Sequence, residues 1–128
     1  MSEQTPIIDI QGVSKCFQSK QGEVWALNDI DIAIQPGEIF GIIGMSGAGK
    51  STLVRCINFL EQPTKGRVIV DGMDMATLSD KQLCEARRSI GMIFQQFNLL
   101  MQRTAKSNIC FPMEIAGKSK EEASKRAD

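Results

Sequence analysis

The stretch EIFGIIGMSGAGKST, residues 38–52, decides the fold of this chain. Its first six residues are almost continuously apolar, which is typical of a strand buried on both faces in a parallel sheet. Residues 44–51 then match the phosphate-binding pattern G-x-x-x-x-G-K-[ST]. Apolar residues recur afterwards at helical spacing and predict a helix from Lys50 to about Leu60. The order of strand, glycine-rich loop and helix predicts a P-loop.

Each residue type of this loop fits the binding of a polyphosphate. Glycines permit backbone angles and a close approach that a side chain would block, and amides at a helix N-terminus favour an anion. Lys50 is predicted to reach the β- and γ-phosphates, Ser51 to offer its hydroxyl to Mg²⁺, and Thr52 to donate to the α-phosphate. The predicted nucleotide-binding residues of the loop are Gly44, Ser46, Gly47, Ala48, Gly49, Lys50, Ser51 and Thr52.

Residues ahead of the P-loop predict a small antiparallel β region. Isoleucines at positions 8 and 10, and again at 30, 32 and 34, alternate with polar neighbours, as in half-buried strands. A turn is predicted between them at residues 19–22. The β region is expected to cover about residues 7–36 and to include 67–72, while the P-loop core covers about 38–60.

Three further elements follow the P-loop core. Ser79 with Gln82 forms a capping-box pattern that predicts a helix from Asp80 to about Ser89. Residues 90–94 predict a strand, which leads into a polar and aromatic loop; together they form the segment 90–98. Ser119 with Glu122 forms a second capping-box pattern and predicts a charged helix up to the last residue.

Composition excludes several other functions. The chain has 15 basic and 15 acidic residues, so no bulk charge favours nucleic acid or an anionic membrane. It has no apolar run near the roughly 20 residues that span a bilayer, and its first residues do not resemble a secretory signal. Four cysteines without a CxxC pair, and no histidine, argue against a zinc site or a His-dependent triad. The cysteines are expected to be small buried hydrophobes.

Two longer stretches, GEIFGIIGMSGAGKSTLVRCINFLEQPTKGRVIVDG and RRSIGMIFQQFNLL, resemble the ATP-binding domain of ABC transporters, and the resemblance covers nearly the whole chain. It implies an α/β fold, in which a P-loop NTPase sheet flanked by helices carries the N-terminal antiparallel β region, and it implies that residues 1–128 are the N-terminal part of that domain. Phe17, in VSKCF, matches the aromatic residue that stacks on adenine; an ordinary core phenylalanine is the alternative. Gln95 matches the Q-loop glutamine that reaches Mg²⁺ and the attacking water, with Gln96 as the alternative.

The resemblance therefore implies ATP and Mg²⁺ as cofactors, Lys50 and Gln95 as catalytic residues, and Ser51 and Gln95 as metal ligands. It implies permease membrane subunits as partners through the Q-loop region, a second ATP-binding subunit, and a location at the cytoplasmic face of the cell membrane. Residues 97–112 resemble the surface that receives a helix of the permease, although a purely structural core role fits them as well. The segments CINFLEQPTKG and LCEARRSIGMIFQQFNLL are most similar to those of uptake ATPases for methionine or a related amino acid.

The sequence also departs from that family. It contains no LSGGQ signature, no apolar strand ending in Asp-Glu and no switch histidine. Hydrolysis is therefore expected of the complete protein and not of this chain alone. Two alternatives remain open on the sequence: a catalytically incomplete nucleotide-binding fragment, and another P-loop NTPase such as a kinase or GTPase.

Overall fold

In a computed structural model that describes residues 4–128, the alternating segments ahead of the P-loop form a long antiparallel hairpin. Strand β1 comprises Ile8–Ser19 and strand β2 comprises Gly22–Ile34. They pair in the register that sets Ile10 opposite Ile32. The predicted antiparallel region and its connecting turn are confirmed.

Two further strands complete a four-stranded sheet of order β2-β1-β3-β4. Strand β3 (Lys65–Val70) pairs antiparallel with β1, and the two-residue strand β4 (Met73–Asp74) pairs with β3. Asp71 and Gly72 both have positive φ, 50° and 75°, which is typical of the tight turns that match the twist of a hairpin. The third strand begins at Lys65, two residues before the predicted start.

Helix α1 (Lys50–Ile57) lies against this sheet and buries Leu53 and Cys56. The largest fully buried side chains lie on β1, β3, α1 and a short 3₁₀ turn: Ile10, Val13, Cys56, Val68 and Met75. Helix α1 is shorter than predicted, since it ends before Leu60.

The end of α1 is fixed by an arginine of the next helix. Phe59 has a positive φ of 58°, which α-helical geometry excludes. The Arg87 guanidinium donates to the carbonyls of Asn58 and Phe59, at 3.0 and 2.7 Å. Arg87 belongs to helix α2 (Asp80–Arg88), whose first turn has the predicted reciprocal bonds between Ser79 and Gln82. A cation at a helix C-terminus satisfies carbonyls that have no partner within the helix.

Two predicted strands are absent from the described residues. Residues 38–43 and 90–94 have no regular secondary structure and pair with no strand. Ile39, Ile43 and Ile93 are 98%, 95% and 101% exposed, although their segments read as buried strands. A strand buried on both faces needs hydrogen-bonded neighbours and covering helices. The strand prediction for these two segments is therefore wrong for the described chain.

The chain divides into two units, the first ending at Arg87 and the second comprising Arg88–Asp128. The second unit contains helices α3 (Ala105–Ile115) and α4 (Lys120–Ala127), which contact each other and bury Cys110 and Ala123. Helix α4 begins with the predicted capping box. Helix α3 was not predicted. None of the helices in the described part of the chain has the length and apolar character needed to cross a bilayer.

The difference between the buried face of the sheet and the exposed segment 38–43 gives a stability test. Ile10→Ala should lower the free energy of unfolding of this chain by about 2–5 kcal/mol, because Ile10 is fully buried in the core. Ile39→Ala is the matched control and should change it by about 0.5 kcal/mol or less. Urea denaturation followed by circular dichroism measures both; equal losses in the two variants would contradict this description of the core.

Candidate functional site

The glycine-rich loop is closed by the side chain of its own lysine. The Lys50 Nζ donates to the carbonyls of Gly44 and Met45, each at 2.7 Å. A third bond within the loop joins the Ala48 amide to the Met45 carbonyl at 3.1 Å. An ammonium group has three donors, so two hold the start of the loop and a third is available to an anion. The positive charge is thereby fixed at the mouth of the loop.

The first turn of α1 presents amides beneath this charge. Gly49 is the residue before the helix and supplies no side-chain cap, and the first turn contains no acidic residue. The first bond along the helix runs from the Leu53 amide to the Gly49 carbonyl at 2.9 Å. The amides of Lys50, Ser51 and Thr52 precede that bond, and amides at this position have no carbonyl partner in the helix. Together with the helix dipole they favour a bound anion.

Two glycines of the loop are required for different reasons. Gly49 has φ 92°, and a β-carbon on it would lie 2.4 Å from the Ala26 carbonyl oxygen. Gly47 has φ 80° but has nothing within 4 Å of the same position. A side chain at Gly49 would therefore collide with strand β2, whereas at Gly47 it is the positive φ alone that favours glycine.

Strand β2 is irregular at the point where Gly49 touches it. The register sets Lys15 opposite Leu27 and Cys16 opposite Trp25, so Ala26 is an extra residue on β2. Such a β-bulge kinks a strand locally and turns its groups out of the regular ladder. The bulge offers the carbonyl against which the end of the P-loop packs. No local sequence pattern predicts this contact, because the bulge follows from the strand register.

Phe17 lies on β1 two residues beyond Lys15, opposite Val24 of β2. Its side chain is 37% exposed, so it is a surface residue and not part of the core. The Lys15 Nζ lies over the ring, 5.0 Å from its centroid. The ring is available for contact with a planar group, as the stacking prediction requires.

Gln95 and Gln96 belong to the second unit and are both exposed, in a bend between α2 and α3. The loop residues of the P-loop and Phe17 all belong to the first unit. The structure therefore brings the loop residues together around Lys50, and it describes the two glutamines separately. The choice between Gln95 and Gln96 stays a prediction.

An apolar groove of about 680 Å³ lies within the second unit. It is lined mostly by side chains of the segment predicted to form a surface, among them Phe97, Leu99, Leu100, Met101, Ile109 and Phe111. Met101 and Phe97 are almost fully exposed. Within the described second unit these two side chains are on the surface, in contrast to the alternative of a core role.

Asn108 holds one rim of this groove, which sequence reasoning missed. Its side-chain oxygen accepts from the Leu100 amide at 2.8 Å. Its amide nitrogen lies 3.2 Å from the carbonyls of Leu100 and Arg103 and 3.0 Å from that of Thr104. One side chain thus ties residues 100–104 to helix α3. Its helical position could not be recognised because α3 itself was not predicted.

Cys56, on the inner face of α1, has a perturbed thiol. Burial raises its pKa; Lys15 opposes this by lowering the pKa, and Glu61 raises it. The thiol is therefore neutral at physiological pH, as expected for a buried cysteine used for packing.

The P-loop residues lie within a segment of the chain that matches a known protein family. The family model described as ABC transporter matches residues 27–128, and the chain belongs to this family. The family assignment accounts for the P-loop and does not favour the alternative of a kinase or GTPase.

Among curated proteins, the chain is 56% identical over 115 residues to the methionine import ATP-binding protein MetN of Vibrio cholerae, covering 90% of this chain and 33% of the relative. It is 60% identical over 116 residues to MetN of Cupriavidus metallidurans, covering 91% and 34%. The chain thus spans about a third of the length of these relatives.

Solved structures confirm the fold class. The ATP-binding cassette MJ0796, in a dimeric post-hydrolysis state bound to ADP and Pi, superimposes with a TM-score of 0.87 at 36% identity, covering 94% of this chain and 53% of that one. CbiO1 from Clostridium perfringens, described as part of the ABC transporter complex cbiONQ, gives a TM-score of 0.75 at 28% identity, covering 96% and 48%.

The raised pKa of Cys56 predicts selective thiol chemistry. In the native chain at about pH 8, iodoacetamide should modify the exposed Cys84 and leave Cys56 unmodified, as read by mass spectrometry of peptides. Because the folded pKa is raised, the stabilising contribution of the neutral thiol is fully present below the unfolded value of about 8.5 and is lost as pH rises toward the folded pKa. Modification of Cys56 at the rate of Cys84 in native protein would contradict its burial.

Proposed function

We propose that this chain binds ATP at the loop formed by residues 44–52, with Lys50 as the central contact. The observation that carries the proposal is the pairing of an uncapped helix N-terminus with an ammonium group fixed at the mouth of the same loop. The amides of Lys50, Ser51 and Thr52 donate to phosphate oxygens, and Gly47 lets the phosphates approach the backbone. The adenine stacks on the exposed ring of Phe17.

The donor set also fits a magnesium ion. Ser51 lies in the first turn of α1 with an exposed side chain, so its hydroxyl oxygen is accessible to a cation beside the phosphates. Gln95 supplies an amide oxygen, the second oxygen donor of this proposal. When bound, the ion neutralises charge on the β- and γ-phosphates. In this proposal Lys50 and the amides would hold the phosphates, Ser51 would hold the ion, and Gln95 would be a further oxygen donor.

In the complete protein, we propose that this site drives ATP hydrolysis that powers an importer for methionine or a related amino acid. Support comes from relatives named as methionine import ATP-binding proteins, at 54–60% identity. None of the residues in the P-loop is expected to touch the transported molecule, since the loop is occupied by the nucleotide.

Two protein partners follow from this proposal. The apolar groove of the second unit receives an apolar segment of the permease subunits, because its exposed Phe, Leu and Met side chains offer the kind of surface that marks protein contacts. A second ATP-binding subunit completes the nucleotide site, as the dimeric state of the MJ0796 cassette suggests. These contacts set the protein at the cytoplasmic face of the membrane.

Removal of the Lys50 charge tests nucleotide binding directly. Lys50→Ala should weaken ATP binding at least tenfold, because a charge-assisted hydrogen bond contributes about 1.5–3 kcal/mol. Lys20→Ala, an exposed lysine in the β1–β2 turn, is the matched control and should leave the affinity unchanged. Titration calorimetry measures both; an unchanged isotherm for Lys50→Ala would rule out this loop as the site.

Hydrolysis should depend on more than this chain. We expect the 128-residue chain to bind ATP without releasing phosphate, because its sequence contains neither an LSGGQ signature nor an Asp-Glu strand end. Binding and phosphate release measured side by side test this, with a longer chain that carries both motifs as the positive control. Sustained phosphate release by the 128-residue chain, abolished by Lys50→Ala, would refute the expectation.

A further inference from the structure

Lys15 is held above the ring of Phe17 by two oxygens of another segment. Its Nζ lies 5.0 Å from the centroid of that ring, 3.1 Å from the Glu61 Oε2 and 2.8 Å from the Gln62 carbonyl oxygen. The Lys15 side chain is only 15% exposed. A lysine is rarely so covered unless its charge is paired, and here the pairing fixes the position of the ammonium group.

The strand is shaped to place Lys15 in this way. The register of β1 against β2 shifts on both sides of Lys15, between Val13 and Lys15 and between Lys15 and Cys16. Bulges re-aim side chains and are frequent beside functional sites. The bulged residue between the partners of Lys15 and Cys16 is Ala26, whose carbonyl contacts the P-loop at Gly49.

The segment that anchors Lys15 is itself tied to both the sheet and the P-loop helix. The Glu61 amide donates to the Arg55 carbonyl in the last turn of α1 at 3.1 Å. The Thr64 amide donates to the Ser14 carbonyl at 2.8 Å, and the Thr64 hydroxyl oxygen accepts from the Cys16 amide at 3.0 Å. Lys15 therefore links Phe17 to the end of the helix whose start forms the phosphate site.

We propose that Lys15 is a positioning residue for the nucleotide base. Its ammonium group lies over one face of the Phe17 ring, and in this proposal the base stacks on the opposite face. The cation is attracted to the electron-rich face and holds the ring plane in one orientation. It also draws ring electron density toward itself, which reduces repulsion between the opposite face and the π-system of a purine. This inference rests on the proposed binding of ATP with its adenine on Phe17.

The test separates the base from the phosphates. Affinities of the full chain for ATP and for inorganic tripolyphosphate are compared by titration calorimetry in Lys15→Met and Lys15→Arg. Lys15→Met keeps the apolar stem but removes the charge, and should weaken ATP binding about two- to fivefold. Tripolyphosphate binding should stay within twofold of the parent chain, since it makes no contact with Phe17. Lys15→Arg retains a cation and should restore the affinity for ATP.

The second cation over an aromatic ring in this sheet supplies the matched control. The Lys65 Nζ lies 5.6 Å from the ring centroid of Trp25, and Lys65→Met should leave both affinities unchanged. A loss of ATP affinity in Lys65→Met but not in Lys15→Met would overturn the inference and point to Trp25 as the stacking ring. Equal weakening of both ligands in Lys15→Met would also overturn it, because that result describes a general structural role.

The outcome for the parent chain distinguishes this inference from the proposed function. Binding of tripolyphosphate as tightly as ATP would overturn the stacking platform and the role of Lys15, while the phosphate site would stand. Binding of neither ligand would overturn the proposed function, and the inference that depends on it would fall with it.

Discussion

The contact between the Ala26 carbonyl and Gly49 is the constraint on which the site depends. A β-carbon at Gly49 would lie 2.4 Å from that oxygen, so only glycine lets the loop end against the sheet. From this point α1 begins, and its buried face, Leu53 and Cys56, fixes the direction of the helix over the sheet. The uncapped amides and the Lys50 ammonium therefore have a defined position before any ligand binds. A preformed anion site of this kind avoids the entropy cost of ordering a loop during binding.

The irregularities of the antiparallel sheet lie at the point where the P-loop meets it. One extra residue in β2, Ala26, both meets the P-loop and shifts the register beside Lys15. The side chain of Lys15 then reaches the Phe17 ring and the segment after α1. In a regular strand the side chains alternate between the two faces of the sheet. The bulge interrupts that alternation beside Lys15. The sheet thus connects the surface proposed for the base with both ends of the helix proposed for the phosphates.

The second unit carries an apolar groove, and polar side chains beside that groove bond within the unit. The side-chain amide of Asn108 hydrogen-bonds to the backbone of residues 100–104, which gives the groove a fixed rim. Arg103 lies over the Phe111 ring, 4.7 Å from its centroid, and bonds to Glu114 at 3.3 Å. A groove with a rigid edge and exposed aromatic and aliphatic residues loses little entropy when a partner enters it. This supports the proposal that the groove is a protein contact.

Local signals in the sequence determined the P-loop pattern, the antiparallel hairpin and the capped starts of α2 and α4, because each depends on residues a few positions apart. The strands predicted at 38–43 and 90–94 were wrong for the described chain, since pairing of a buried strand depends on neighbours distant in sequence. Helix α3 was missed because Pro112 lies inside it, and Thr104 caps it without an acidic partner. Only the tertiary structure decided that Gly49 meets Ala26, that Lys15 covers Phe17 and that Asn108 fixes the groove. Those contacts follow from strand register and packing, which no local pattern encodes.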